Sequence, residues 1–367
     1  MQRILHLLLV NYSGLTNLSF TIMVDSTLPS NARVTSDDDV AAINQLGEIS
    51  QKMRTELARV IIGQDEVVDR LLITIFARGH GLLVGVPGLA KTLLVRSLAD
   101  AMSLDFSRVQ FTPDLMPSDI TGTEILQETD QPGRRRFEYV KGPIFANIVL
   151  ADEINRAPPK TQSALLEAMQ EHRVTAAGHM YQLPAPFFVL ATQNPVEQEG
   201  TYPLPEAQLD RFMFLIHVGY PSLAEEGRIA RETTGGITAQ VGKTISGEQL
   251  IAFQELVRRV PVPDHVYDFV VGLVRRSRPD SEDAPDWIKD LVTWGAGPRA
   301  VQYLILGAKS RAALQGSYLA RIEDVEALAE PVLVHRILTS FHAQSEGITS
   351  REIIKRLIEE TRADAKV

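Results

Sequence analysis

The chain has 367 residues, a length typical of two or three domains. Its 46 acidic and 37 basic residues give a net charge of −9, which argues against a protein that coats nucleic acid non-specifically. The absence of cysteine excludes disulfide frameworks, thiolate nucleophiles and Cys-based metal sites, and it fits a reducing compartment. No apolar run reaches the roughly 18 residues that a membrane-spanning helix needs. We therefore predict a cytoplasmic protein without membrane insertion.

The first 35 residues lack the pattern of a folded element. Arg3 and the apolar residues 4–10 resemble the start of a signal peptide, but His6 interrupts the run and no cleavage-site pattern follows it. A translation start at Met23 is the simpler explanation of this segment. We therefore interpret residues 1–35 as a disordered tail or a mis-assigned start.

Two helical patterns come next. Apolar residues recur at spacings of three and four between Asp37 and Val60, which predicts an amphipathic helix. A turn at residues 61–64 separates it from a second helix, which carries apolar residues between Val67 and Ile75.

From Gly79 onward, short apolar runs alternate with helical stretches that follow from Lys91, Pro159 and Pro205. The runs are apolar throughout, as expected of strands that are covered on both faces. This alternation predicts an α/β domain with a five-stranded parallel sheet between helices. The five runs are Leu82–Val84, Phe106–Val109, Ile148–Ala151, Phe187–Ala191 and Met213–Val218.

Two hairpins and a helical region complete the predicted organisation. Residues 111–142 are polar and form an insertion with a turn at 131–133, and a second hairpin is predicted around Gly178. After Gly235 the strand pattern stops. We predict an α/β domain over residues 36–235 and a small all-α domain over 236–367. Its helical periods cover 246–260, 264–276, 298–315, 322–340 and 349–362.

A phosphate-binding loop lies between the first predicted strand and a helix. Its backbone amides and the helix N-terminus can surround phosphate oxygens, the Lys91 ammonium can reach the β- and γ-phosphates, and the Thr92 hydroxyl can bind Mg²⁺. Ala90 replaces the usual glycine, which is tolerable if its φ is negative. The loop consists of Gly85, Val86, Pro87, Gly88, Leu89, Ala90, Lys91 and Thr92.

Two carboxylates end the strand that begins at Ile148. Ligands of parallel α/β sheets bind at the carboxyl ends of the strands, so Asp152 and Glu153 are expected near the phosphate loop. Asp152 suits an outer ligand of Mg²⁺, held through Thr92 or water, and Glu153 suits a general base that polarises the attacking water. The alternative is a pair of solvated carboxylates that cap the next helix.

A polar tip also ends the next buried strand. Asn194 is the candidate to hold a water molecule between the base and the γ-phosphate, and Gln193 and Thr192 are neighbours that could do so instead. A simple turn before Pro195 is the alternative.

Together these features resemble an AAA+ ATPase, and longer strings resemble its MoxR family over about residues 40–340. The resemblance implies a P-loop sheet domain followed by a helical lid, and an enzyme that hydrolyses ATP with Mg²⁺. The strings are GVPGLAKT, FANIVLADEINRAPPKTQSALLEAMQE, PFFVLATQNPVEQEGTYPLPEAQLDRF and GPRA.

The resemblance also implies roles for single residues. Asn194 matches the sensor-1 position, and Arg211 matches the arginine finger that reaches the γ-phosphate of a neighbouring subunit. The alternative for Arg211 is an ion pair within the chain, with Asp210 or Glu206. Arg156 is the second candidate for an arginine at the subunit boundary.

Three further segments match family features. Arg299 matches sensor 2, which couples nucleotide state to the angle of the lid, with a plain surface arginine as the alternative. Ile62 and Gly63 lie in the segment that packs on adenine. The two hairpins match insertions that face the central pore, and the residues 134–136 would form a basic cluster there, unless this is only a solvated loop.

The family implies a ring, typically hexameric, that remodels or matures client protein complexes and often acts with a protein containing a von Willebrand A domain. Two other motors remain open: a magnesium-chelatase-like subunit and an AAA+ motor that acts on nucleic acid. The acidic net charge counts against the second. A nucleotide-locked scaffold is disfavoured by the intact Glu153, Asn194 and Arg211. The absence of an N-K-x-D motif counts against a GTPase.

Overall fold

The computed structural model describes residues 37–128, 135–176, 178–196, 200–235 and 240–364. The described residues all belong to one compact unit. The predicted N-terminal tail lies outside the described residues. The predicted domain boundary after residue 235 also borders a segment outside them, so the division at this point stays a prediction.

The helices largely follow the predicted periods. The first one ends at Leu57, three residues before the predicted end at Val60. The helices are α1 (Asp37–Leu57), α2 (Asp65–Phe76), α3 (Lys91–Ala101), α4 (Pro117–Thr121), α5 (Pro159–Glu171), α6 (Glu206–Leu209), α7 (Leu223–Thr234), α8 (Gly247–Arg259), α9 (Asp264–Arg276), α10 (Asp286–Leu291), α11 (Pro298–Leu314), α12 (Ile322–Leu333), α13 (Phe341–Ser345) and α14 (Ser350–Asp364).

The strands include all five predicted runs, with ends that differ by one or two residues. They are β1 (Gly81–Val84), β2 (Phe106–Gln110), β3 (Gly122–Glu128), β4 (Arg135–Lys141), β5 (Ile148–Asp152), β6 (Arg173–Ala176), β7 (His179–Gln182), β8 (Phe188–Gln193), β9 (Phe214–His217), β10 (Val292–Trp294) and β11 (Leu338–Thr339).

The central sheet has five parallel strands in the order β2-β5-β8-β1-β9. The prediction of a parallel sheet between helices is therefore confirmed. Strand β5 is buried along its whole length, as its continuous apolar run predicts. Because β5, β8 and β1 are neighbours, the segments that follow their carboxyl ends meet at one edge of the sheet. This edge carries the phosphate loop and the acidic pair.

The two insertions form antiparallel hairpins, as predicted. Strand β3 pairs with β4, and β6 pairs with β7. The turn at 131–133 and Arg134 lie outside the described residues. Tyr139 of the first hairpin stacks on Tyr181 of the second, with ring centroids 4.1 Å apart. This stacking packs the two hairpins against each other. Each hairpin gains stability from it, because an isolated two-stranded hairpin is only marginally stable in water.

The helical region, residues 240–364, contains the five predicted helices and two short helices, α10 and α13, that were not predicted. The predicted helix over 322–340 is too long, because α12 ends at Leu333. Beyond it, β11 pairs with β10 in a small two-stranded sheet, so the region is not purely helical. Burial continues past Leu333, because His335 and Arg336 turn inward against another segment of the chain.

Helix α11 joins this region to the rest of the molecule. It packs against α1, α2, α8, α9 and α12. The Ser310 hydroxyl donates to the Ile73 carbonyl at 3.0 Å, and Gln254 Nε2 donates to the Ile75 carbonyl at 2.8 Å. Buried hydrogen bonds of this kind resist sliding of the helical region, because breaking one leaves a polar group unpaired.

Among the helices that the structure describes, none is both long and apolar enough to cross a lipid bilayer.

His80, a buried histidine directly before β1, makes the stability of the fold depend on pH. The His80 ring accepts a hydrogen bond from the Val189 amide at Nδ1, so its proton sits on Nε2, which donates to the Met169 carbonyl. Burial lowers the pKa of His80 from 6.5 to about 4. The unfolded chain therefore takes up a proton before the folded chain does as the pH falls.

We expect His80 to contribute stability that is complete above pH 6.5 and is lost as the pH falls towards 4. The loss should reach about 3 kcal/mol in the free energy of unfolding. Urea unfolding at pH 7, 5.5 and 4 should show a shallower pH dependence in His80→Gln than in the unchanged protein. Parallel pH profiles of the two proteins would contradict this role.

Candidate nucleotide-hydrolysis site

A pocket opens at the carboxyl edge of the sheet, where residues 87–93 of the phosphate loop and α3 form one wall. The Lys91 ammonium donates to the carbonyls of Gly85 and Val86, at 2.7 Å each. Partial burial lowers the pKa of Lys91, whereas the nearby carboxylates of Asp152 and Glu153 oppose this shift. The cation therefore lies between the loop and the acidic pair, where it can reach a polyphosphate.

The backbone of the phosphate loop favours glycine at positions 85 and 88, but its conformation is unfavourable for the alanine at position 90. A Cβ on Gly85 would lie 2.5 Å from the Val218 carbonyl oxygen, so no larger residue fits there. Gly88 has φ 86°, which glycine adopts without strain. Ala90 has φ 54° and ψ 21°, so the condition under which alanine would be tolerated without strain, a negative φ, is not met. A left-handed alanine costs about 1 kcal/mol, and the tight entry into α3 imposes it.

Two side chains hold the Asp152 carboxylate. Arg108 donates to Oδ2 through Nε at 3.0 Å and Nη2 at 2.6 Å, and the Thr192 hydroxyl donates to Oδ1 at 2.6 Å. Arg108 lies on β2 and was not predicted as a site residue. Its signal was a charged residue inside an apolar run of the neighbouring strand. Lys91 faces the same pocket, so Asp152 is surrounded by cations and donors.

Glu153 follows Asp152 in a left-handed conformation, with φ 56°. Its amide donates to the Thr192 hydroxyl at 2.8 Å. Its Oε2 accepts from Gln110 Nε2 at 2.9 Å and from Arg156 Nη1 at 3.1 Å. Gln110 was missed, because it lies one residue past the predicted end of its strand. These contacts orient a carboxylate that lines the pocket, which a solvated helix cap does not require.

Asn194 also lines the pocket and is only 5% exposed. Its Oδ1 accepts from the Val196 amide at 3.1 Å, which leaves the Nδ2 group to donate to a ligand. Thr192 is occupied with Asp152 and with the Glu153 amide. Of the polar residues at this strand end, Asn194 is therefore the one with a free donor towards the pocket.

The comparisons with known proteins agree with this geometry. Residues 80–214 match the ATPase family associated with various cellular activities (AAA), and residues 286–357 match the AAA lid domain. Chaperone MoxR1 of Mycobacterium tuberculosis is 44% identical over 305 residues, which cover 83% of this chain and 79% of the relative. This chain belongs to the MoxR family of AAA+ ATPases.

Two further similarities support the same family. Protein MoxR of Methylorubrum extorquens is 32% identical over 333 residues, covering 84% of this chain and 90% of that protein. A crystal structure of a protein from Cytophaga hutchinsonii has a TM-score of 0.80 at 41% identity and covers 87% of this chain and 96% of that one. The resemblance found in the sequence is confirmed: the chain is a nucleotide-binding ATP hydrolase of MoxR type with a chaperone-like role, and its family points to oligomeric assembly.

A magnesium ion fits the residues present in this MoxR-family site. Thr92 and Asp152 offer hydroxyl and carboxylate oxygens, the ligands that Mg²⁺ prefers. No group of three or more His, Asp or Glu side chains within the described residues is arranged to hold a metal by itself. An ion here would therefore take most of its ligands from phosphate and water.

Two arginines predicted as site residues lie outside the lining of the pocket. Arg211 follows α6, and none of the acidic residues that the structure describes pairs with it. Asp210 instead pairs with Arg299 Nη1 at 2.7 Å and with Arg336 Nε at 2.7 Å. Arg299 is thus near the Arg211 segment rather than beside Lys91.

The segment predicted to pack on adenine contacts the phosphate loop. Ile62 is buried, Gly63 has φ 69°, and Gln64 Nε2 donates to the Leu89 carbonyl at 3.2 Å. A Cβ on Gly63 would lie 2.6 Å from the Glu225 carboxylate, which is the end of a flexible side chain, so it is the positive φ that favours glycine here.

Proposed function

We propose that this MoxR-family ATPase works in the cytoplasm as a hexameric ring and couples ATP hydrolysis to the remodelling or maturation of a partner protein complex. The observation that carries the proposal is that the residues predicted to act in hydrolysis do not all lie in one pocket. Glu153 and Asn194 line the phosphate pocket, whereas Arg211 lies outside it without an acidic partner among the described residues. A ring supplies the missing contact, because Arg211 of one subunit can reach the pocket of the next.

Each pocket residue then has a role in hydrolysis. The loop amides and Lys91 hold the phosphates, and Glu153 accepts a proton from the attacking water. Asn194 Nδ2 orients this water. Mg²⁺, held by Thr92 and through water by Asp152, would neutralise charge on the β- and γ-phosphates.

Three other residues recognise the nucleotide or respond to it in this proposal. Ile62 and Gly63 pack on the adenine ring, where an apolar side chain and a close backbone favour a flat base. Arg299 acts as sensor 2 and exchanges its Asp210 partner for a phosphate when the nucleotide binds. Arg156 contacts Glu153 of its own chain, which favours Arg211 as the arginine that acts on a neighbour.

The hairpins supply the surface that contacts the client. Leu126 and Phe137 are cross-strand partners on the first hairpin and are 51% and 70% exposed. Met180 on the second hairpin is also exposed. Arg136 pairs with Glu138 at 3.3 Å, which reduces the basic character of this surface. Exposed apolar side chains suit a polypeptide client better than a nucleic-acid backbone.

A client or adaptor with a von Willebrand A domain should be captured by a Glu153→Gln bait in the presence of ATP. Such domains usually hold Mg²⁺, so EDTA should also weaken the complex. Affinity purification with and without ATP tests this, and Lys91→Ala, which should not bind ATP, is the matched control bait. Recovery of DNA or RNA without a protein would instead favour the nucleic-acid motor, and recovery of a tetrapyrrole-binding partner would favour the chelatase.

A further inference from the structure

The four residues Asp210–Met213, here called the finger segment, are held by the lid through their backbone. Arg336 Nη2 donates to the first and third carbonyl oxygens of the segment, at 2.7 Å each, and its Nη1 donates to the fourth at 3.3 Å. The Tyr303 hydroxyl donates to the second, the Arg211 carbonyl, at 3.0 Å. Every carbonyl of the finger segment therefore accepts a hydrogen bond from a lid side chain.

Arg336 is built into this contact rather than lying on the surface. Its side chain is 2% exposed, its Nε donates to Asp210 Oδ1 at 2.7 Å, and its guanidinium lies 5.1 Å from the centroid of the Tyr303 ring. A buried cation is tolerated only where its donors are satisfied and a carboxylate is close. Burial lowers the pKa of Arg336, and the Asp210 carboxylate opposes this shift. The planar fork of an arginine can reach several carbonyls at once, which a lysine ammonium cannot do.

Neighbouring groups support the same contact. His335 is buried beside Arg336, and burial together with this cation lowers the pKa of His335 well below 6.5, so its ring is neutral at pH 7. The charged groups at the contact are then the Asp210 carboxylate and the guanidinium groups of Arg336 and Arg299, which both pair with it. The interaction joins α11 and the turn after α12 to a segment about 90 to 126 residues earlier in the chain.

We propose that Arg336 is a positioning residue for Arg211, and that it fixes the finger segment to the lid of its own subunit. The inference rests on the proposed role of Arg211 as an arginine finger. Since the lid and the finger segment move together, a nucleotide-dependent change in the lid of one subunit is transmitted to the active site of its neighbour. Communication around the ring then passes through the backbone of residues 210–213.

The test uses Arg336→Lys, which keeps the charge and loses the fork. ATP turnover should fall about 10- to 100-fold, because a shift of roughly 1 Å in a catalytic group has an effect of this size. Binding of a fluorescent ATP analogue should not change, because Arg336 does not line the pocket. Arg351→Lys is the matched control: Arg351 lies on the same lid, pairs with Glu330 at 2.9 Å and is half-exposed. It should keep full turnover.

Mixing Arg336→Lys with a second variant distinguishes a positioning role of Arg336 from a purely structural one. Arg336→Lys has an intact pocket, so the Arg211 of a Lys91→Ala subunit should restore part of its activity. A lid defect that acts only on its own pocket would give no rescue and would overturn the inference. Arg336→Lys should also add no further loss to Arg211→Ala, since both changes remove the same contact. Additive losses in the double variant would likewise overturn it.

Further measurements distinguish failure of this inference from misfolding of the variant and from failure of the arginine-finger assignment. If Arg336→Lys does not fold, Tyr303→Phe removes only the donor to the Arg211 carbonyl, and it should give a smaller loss of turnover with the same rescue on mixing. If Arg211→Ala itself is not rescued, the arginine-finger assignment fails. If Arg211→Ala is rescued but Arg336→Lys and Tyr303→Phe are not, only the positioning role fails.

Discussion

Replacing Glu153 by glutamine should slow ATP hydrolysis by at least about 10²-fold and leave ATP binding in place. Glutamine has the same shape, so its side chain can still contact Gln110 and Arg156, but it cannot accept a proton from water. Turnover by phosphate release and affinity by a fluorescent ATP analogue measure the two effects separately.

Two controls make this result specific. Lys91→Ala should lose nucleotide binding itself, because the ammonium that lies at the loop carbonyls is removed. Glu171→Gln changes an exposed carboxylate whose partner is Arg173, and it should keep full turnover. Equal hydrolysis by Glu153→Gln and the unchanged protein would reject Glu153 as the base.

Arg211→Ala should retain ATP binding and lose about 10³-fold or more in turnover, the effect typical of a missing arginine finger. The pocket keeps all of its own residues in this variant, since Arg211 does not line it. Mixing Arg211→Ala with Lys91→Ala should therefore restore part of the activity, because the second protein supplies an intact Arg211. Turnover across a series of mixing ratios measures this rescue.

Arg156→Ala provides the comparison for this experiment. Arg156 donates to Glu153 within the same chain, so we expect no rescue of Arg156→Ala by Lys91→Ala. Rescue of Arg156→Ala in place of Arg211→Ala would exchange the two roles. Full activity of a monomer at the working concentration would reject the ring.

The local sequence determined the elements of this protein and most of its nucleotide site. Mostly apolar runs predicted the five strands of the central sheet, because a strand covered on both faces carries few polar side chains. The phosphate loop and the acidic pair were also recognised, since each lies within a few residues of a strand end. Parallel strands bring such ends to one edge, so Lys91, Asp152 and Glu153 were expected together and do line one pocket.

Only the tertiary structure revealed the contacts between segments that are distant in the chain. Arg108 and Gln110 reach the acidic pair because β2 is the neighbour of β5 in the sheet, and strand order does not follow from local periodicity. Ala90 is left-handed because the turn into α3 requires it, against the preference of an L-residue. Arg336 lies three residues beyond the end of α12 and turns towards the finger segment. Local sequence patterns predict single helices and strands. These residues, in contrast, are placed by hydrogen bonds that form only after distant elements have packed together.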